Sequence, residues 1–177
     1  MGDVYKGIPQ KLALDLKSTY DLEVFVETGT LIGKSAKWAS QHFRYVYTIE
    51  SDYNLYMTAS GDLCKQKNVR CLHGLSQAML PRALQMFPEP ALIWLDAHWS
   101  KDLGYTKYDE VVCPVLEELE ILARDGRDHV ILIDDYRLFG KVSGWPTTDE
   151  ITDFLMTMGK KVSYQTDVFV AVPDGKT

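Results

Sequence analysis

Several features that would assign the chain to a particular environment are scarce among its 177 residues. Cysteine occurs three times, at Cys64, Cys71 and Cys113, and no two of these form a Cys-x-x-Cys pair. Disulfide scaffolds need an even set of cysteines, and zinc sites need closely spaced pairs. We therefore expect three reduced thiols in a cytoplasmic protein.

Long apolar runs and basic clusters are missing as well. No stretch approaches the ~20 residues of a membrane-spanning helix, and the first residues lack the apolar segment of a secretory signal. The formal charge is -6 without any basic stripe, so we expect neither a nucleic acid nor a membrane as partner. The hydrophobic content of 46% suffices for one sizeable core, which favours a single domain over residues 1–177.

Short apolar runs alternate with amphipathic stretches along the chain. Continuous apolar runs are typical of parallel strands covered on both faces, and two closely spaced runs at the end predict an antiparallel hairpin. We expect an α/β fold, Rossmann-like and doubly wound, with a mostly parallel seven-stranded sheet and a C-terminal antiparallel hairpin. The predicted strands are 22–27, 44–50, 69–73, 91–95, 130–133, 161–166 and 168–172; the predicted helices are 9–20, 33–42, 53–66, 77–86, 113–125 and, capped by Thr147, 148–158.

A glycine-containing turn, Glu27-Thr28-Gly29-Thr30-Leu31-Ile32-Gly33, joins the first strand to a helix. Glycines at such a place let the backbone approach a ligand, and the helix N-terminus offers unpaired N–H groups. The following Lys34-Ser35 is similar to the end of a phosphate-binding P-loop, but the loop is one residue too short, and Gly-x-Gly-x-x-Gly is absent. A tight structural turn and a degenerate P-loop both remain open.

The turn resembles the first motif of class I S-adenosylmethionine-dependent methyltransferases, an acidic residue followed by Gly-x-x-x-Gly. Glu50 ends the second strand ~20 residues after the glycines, at the place of an acidic ribose ligand. His73-Gly74-Leu75-Ser76 follows the third strand, where that family places a polar segment near the adenine. The resemblance implies a methyltransferase with S-adenosylmethionine as cofactor. The cofactor-binding residues that it implies are Glu27, Thr28, Gly29, Thr30, Gly33, Ser35, Glu50, Ser51, Gly74, Ser76 and Asp96.

Carboxylates follow the fourth and fifth strands, as Asp96 and as the pair Asp134 and Asp135. Because the carboxyl ends of parallel strands share one edge, we expect these side chains at one crevice. Each residue alone is compatible with an ordinary loop role, and the pair with a turn that forms a salt bridge to Arg137.

The sequences around these carboxylates, 95–99 and Asp134-Asp135-Tyr136, resemble the metal motifs of cation-dependent O-methyltransferases of the catechol and macrocin types, with one alanine inserted in the first. The resemblance implies Mg²⁺ held by Asp96, Asp134 and Asp135. Such an ion would acidify an acceptor hydroxyl and hold it in line with the methyl group.

His98 and Lys101 follow Asp96 closely and are the candidates for the general base, with His98 preferred. The segments 99–112 and 137–146 follow the metal-bearing strand ends and are expected to overhang the crevice. We expect an O-methyltransferase for a hydroxylated small molecule or sugar, with a homodimer as one way to complete the pocket. The alternatives are a non-catalytic cofactor-binding module and a degenerate P-loop phosphotransferase.

Overall fold

The computed structural model describes residues 7–97 and 113–175. Its helices are α1 Gln10–Tyr20, α2 Lys34–Ala39, α3 Tyr53–Leu63, α4 Ser76–Leu84, α5 Val115–Asp125 and α6 Thr148–Thr157. Its strands are β1 Val24–Thr28, β2 Tyr45–Glu50, β3 Val69–His73, β4 Ala91–Leu95, β5 Val130–Ile133, β6 Lys160–Gln165 and β7 Val168–Pro173.

The strands form one seven-stranded sheet in the order β3-β2-β1-β4-β5-β7-β6. The five strands from β3 to β5 are parallel, whereas β7 runs antiparallel to both β5 and β6. The predicted fold class is therefore confirmed. No helix within the described ranges has both the length and the apolarity that a membrane crossing requires.

Two apolar layers cover the sheet, because successive strand residues point to opposite faces. On one face, Val26, Ile93 and Ile131 pack beneath α4, α5 and α6. On the other, Phe25 and Trp94 pack beneath α1, α2 and α3. Every position of the central strands β1, β4 and β5 is buried, which explains their continuous apolar sequence.

The connections leave the sheet in opposite directions from its centre. After β1 the chain winds outward through β2 and β3, and after β4 it winds to the other side through β5. Thr28 pairs with Leu95 at the carboxyl ends of β1 and β4. A crevice opens at such a reversal point in open α/β sheets, and the glycine turn and Asp96 both follow strands that end there.

Candidate cofactor and acceptor site

Gly29 is where the turn after β1 meets the end of β4. Its φ of +84° lies in the left-handed region, and a Cβ at this position would come within 2.4 Å of the carbonyl oxygen of Asp96. The backbone N–H of Asp96 donates to the carbonyl oxygen of Thr28 at 3.1 Å. Glycine is therefore required here, both for the φ angle and for the close approach of two backbones.

A pocket opens beside this contact. Four of the predicted cofactor-binding residues line it, namely Gly29, Thr30, Ser35 and Asp96, together with Gly7, Leu31, Ile32 and Lys34. Gly7, Leu31, Ile32 and Lys34 had not been predicted as cofactor residues. The segment before α1 closes over one side, because the backbone N–H of Ile8 donates to Ser35 Oγ at 3.2 Å.

Glu50 lies next to the pocket at the end of β2 and is 6% exposed. Its Oε2 accepts the backbone N–H of Leu31 at 2.8 Å, and its Oε1 accepts that of Asp52 at 2.9 Å. Burial raises the pKa of this carboxyl above its ordinary value, while these backbone donors act in the opposite direction. Each carboxylate oxygen has two lone pairs, so Glu50 can also accept hydroxyl donors of a ligand. The residue fits a ribose partner.

Glu27 lies beneath the turn and is buried, with 1% of its surface exposed. Thr48 Oγ1 donates to its Oε1 at 2.6 Å, and the hydroxyl of Thr30 lies 2.5 Å from that of Thr48. Burial raises the pKa of Glu27 to about 8, and the negative charges of Asp96 and Glu50 add to this shift. Glu27 is therefore connected to the turn through the hydroxyl groups of Thr48 and Thr30.

Among the other predicted cofactor residues, the two glycines have structural roles in the fold. Gly33 has a φ of +72°, and a Cβ there would lie 3.0 Å from Leu63, so it lets α2 start close to α3. Gly74 has a φ of +143°, and its N–H donates to the carbonyl oxygen of Glu50. Thr28 and Ser76 are buried, whereas Ser51 is exposed behind β2. Cofactor contacts by these residues stay predictions.

The carboxylates after β5 meet a partner that the sequence had not indicated. Oxygens of Asp134, Asp135 and Asp167 lie within 4.8 Å of one another; we call these three residues the carboxylate group. Asp167 lies in the turn between β6 and β7, which pairing of β7 with β5 brings to this edge. Asp96 is not a member of the group, although the N–H of Asp134 donates to the carbonyl oxygen of neighbouring Leu95.

Arg137 binds two members of the carboxylate group. Its Nη1 lies 2.5 Å from Asp135 Oδ1 and also pairs with Asp167 Oδ2. The backbone N–H of Arg137 donates to Asp167 Oδ1 at 2.9 Å. The salt-bridged turn that the sequence left open is therefore present. A magnesium ion needs near-octahedral oxygen ligands, and two of these carboxylates already bind a guanidinium, so the described donor set does not fit that ion.

The segment 137–146, which was expected to overhang the crevice, buries an aromatic side chain in the core instead. Trp145 is 8% exposed and packs on Phe139 in the core, with ring centroids 5.1 Å apart. Tyr136 begins a 3₁₀ turn and stacks on Tyr164 at 4.8 Å. His98 and Lys101, the predicted bases, and the loop 99–112 lie outside the described residues. Their roles stay predictions.

Comparison with solved structures identifies the fold. An O-methyltransferase from Bacillus cereus in complex with S-adenosylhomocysteine is 18% identical, with a TM-score of 0.63, over 96% of this chain and 84% of that one. A proposed O-methyltransferase from Klebsiella pneumoniae is 19% identical, with a TM-score of 0.65, over 97% and 82%. The chain has the class I methyltransferase fold.

This methyltransferase fold does not decide the substrate. A proposed rRNA methylase from Clostridium thermocellum superposes with a TM-score of 0.63 at 10% identity, over 93% of this chain and 96% of that one. No protein-family model and no curated protein sequence matches the chain. Function must therefore be argued from the site.

Proposed function

We propose that the chain is an S-adenosylmethionine-dependent methyltransferase that acts on a hydroxyl group of a small molecule or sugar. The observation that carries the proposal is the joint position of the glycine turn and Glu50 at the reversal point of the sheet. Glu50 would accept the ribose hydroxyls, while the turn 29–32 would line the rest of the cofactor. The methyltransferase fold supports this reading, since one similar structure contains S-adenosylhomocysteine.

The cofactor supplies a methyl group on a sulfonium, which moves to an acceptor oxygen as the C–S bond breaks and the C–O bond forms. The acceptor loses its proton to a base, for which His98 and Lys101 are the proposed residues. Asp96 lines the pocket directly beside Gly29, at the end of β4, which pairs with β5. The chain would thus orient both reactants at one edge of its sheet.

No step of this proposal involves a metal ion. The predicted Mg²⁺ ligands are divided in the structure, because Asp96 lies outside the carboxylate group and Arg137 binds Asp135. Magnesium remains a sequence-based prediction, which the metal titration proposed below tests directly.

Cofactor binding is the first test of the proposed function. We expect S-adenosylhomocysteine to bind the wild-type chain in calorimetry and to raise its melting temperature, whereas ATP does neither. Glu50→Ala should weaken this binding about tenfold or more, because hydrogen bonds to a charged group contribute about 1.5–3 kcal/mol each. Glu120→Ala, an exposed change on α5, is the matched control and should bind as wild type does.

Two outcomes would replace the proposal. Stabilisation by ATP but not by S-adenosylhomocysteine would favour the phosphotransferase alternative. Binding of the cofactor without transfer of a labelled methyl group to any acceptor in a panel of hydroxylated compounds would favour the non-catalytic module.

A further inference from the structure

We infer that Arg137 is the resident cation of the carboxylate group, and that its guanidinium and a divalent metal ion exclude each other there. The inference concerns the acceptor side of the proposed site. It rests on the ion pairs of Arg137 with Asp135 and Asp167, at the place where a metal ion was predicted. Testing these ion pairs does not require that the chain transfer a methyl group.

Each member of the carboxylate group already has a donor within the protein. The backbone N–H of Asp135 donates to Asp134 Oδ1 at 2.8 Å. Asp135 binds Arg137 Nη1, and Asp167 binds both that nitrogen and the backbone N–H of Arg137. Three close carboxylates would otherwise repel one another and need a positive charge between them. The chain supplies that charge itself.

The backbone of the turn that carries Arg137 keeps its guanidinium between Asp135 and Asp167. Asp135 has a φ of +61°, in the left-handed region, and it precedes the 3₁₀ turn Tyr136–Leu138. The backbone N–H of Tyr136 donates to the carbonyl oxygen of Asp167 at 2.9 Å. Backbone and side chain of Asp167 thus bind the same turn that carries Arg137. The arginine is fixed between the two carboxylates by contacts at both ends.

A divalent ion would have to break these contacts. Magnesium binds oxygens at about 2.0–2.1 Å in octahedral geometry, which leaves no room for a guanidinium on the same oxygens. Displacement would separate Arg137 from both carboxylates, and arginine cannot neutralise itself by losing a proton. Removing the arginine charge should therefore strengthen metal binding, since the ion no longer competes with a guanidinium for the oxygens of Asp135 and Asp167.

The inference has a consequence for the acceptor, which rests on the proposed function. A metal ion in enzymes of the catechol type would bind two neighbouring substrate oxygens, whereas a guanidinium that is paired with carboxylates does not chelate. A single hydroxyl would then suffice as acceptor, and methyl transfer would proceed unchanged in a chelator such as EDTA.

The test measures Mn²⁺ binding by paramagnetic resonance of the free ion, with the wild-type chain and two variants at position 137. We expect Arg137→Gln to bind Mn²⁺ about tenfold more tightly than wild type, while Arg137→Lys, which keeps the charge, stays close to wild type. Arg124→Gln removes an exposed arginine that pairs with Glu120 on α5, and it is the matched control without effect. Equal affinity of wild type and Arg137→Gln would overturn the inference.

A measurement on the wild-type chain keeps the inference testable if Arg137→Gln does not fold. We expect that the wild-type chain has no Mn²⁺ site with a dissociation constant below about 1 mM that is lost in Asp135→Asn. Micromolar binding that Asp135→Asn abolishes would overturn the inference. Calorimetry with S-adenosylhomocysteine on the same samples separates this outcome from a failure of the proposed function, because Arg137 is not among the residues that line the pocket.

Discussion

Glu27 shows how a single buried acid can make a binding turn respond to pH. Its carboxyl has 1% of its surface exposed and a pKa of about 8, so at neutral pH the protonated form is favoured. The unfolded chain, in contrast, releases this proton near the ordinary pKa of 4.5. The folded state therefore holds more protons between these values, and its free energy of unfolding falls as pH rises toward 8.

Glu27→Gln should make this pH dependence shallower. Glutamine is neutral at every pH and can still accept the hydrogen bond from Thr48, so the variant should be more stable than wild type at and above pH 8 by a few kcal/mol at most. Urea denaturation at several values between pH 6.5 and 8.5 measures the effect. Glu120→Gln on the exposed side of α5 should keep the wild-type slope. If the free energy of unfolding of Glu27→Gln depended on pH as steeply as that of wild type, the raised pKa of Glu27 would be contradicted.

At the residue scale, the sequence predicted those parts of the site that are local along the chain. Gly29 and Glu50 could be found because a strand, a turn and the next strand carry them in a fixed order. Asp167 could not, since its contact with Arg137 joins residues 30 positions apart and depends on β7 pairing with β5. The separation of Asp96 from the carboxylate group likewise depends on geometry that no spacing encodes.

At the element scale, the strands were predicted most closely. The bounds of β3, β4 and β5 agree with the expected runs, because short apolar segments between turns have few alternatives. The helix predicted over 33–42 is only Lys34–Ala39 in the structure. Ser40 Oγ donates to the carbonyl oxygen of Lys37, and this local bond competes with continuation of the helix.

The start of α6 offers a prediction for one element. Thr147 and Glu150 form a capping box, in which Thr147 Oγ1 accepts the N–H of Glu150 and Glu150 Oε2 accepts that of Thr147. Thr147→Ala should lower the free energy of unfolding by about 1 kcal/mol, whereas Thr147→Ser should keep most of the stabilisation that the cap provides. Urea denaturation measures both variants. Affinity for S-adenosylhomocysteine should not change, and a change would mean that α6 is coupled to the pocket.

At the scale of the whole molecule, the two ends of the sheet respond to acid in opposite ways. At the end away from the pocket, buried His129 accepts the N–H of Ala91 on Nδ1 at 3.0 Å, and its Nε2 lies 2.8 Å from Asp125. This pattern requires a neutral ring with its proton on Nε2. Burial lowers the pKa of His129, Arg127 and Lys160 lower it further, and Asp125 opposes them.

The lowered pKa of His129 predicts acid sensitivity at that end. Below the unfolded value of 6.5 the unfolded chain binds a proton that the folded ring does not, so stability falls as pH decreases. His129→Asn keeps an acceptor for Ala91. The free energy of unfolding of this variant should lie furthest below that of wild type above pH 6.5, and the difference should shrink toward about pH 5. Denaturation curves measure this difference, and exposed His42→Asn is the control. A constant deficit would contradict the lowered pKa.

The order of the strands along the chain also determines when the pocket and the carboxylate group can form during synthesis. The glycine turn, Glu50 and Asp96 all precede β5, so a nascent chain that has left the ribosome to that point carries every residue of the pocket. Arg137 receives its partner Asp167 only with the last hairpin, whose β7 must enter between β5 and β6. The carboxylate group would thus be completed after the pocket residues, once the hairpin of β6 and β7 has emerged.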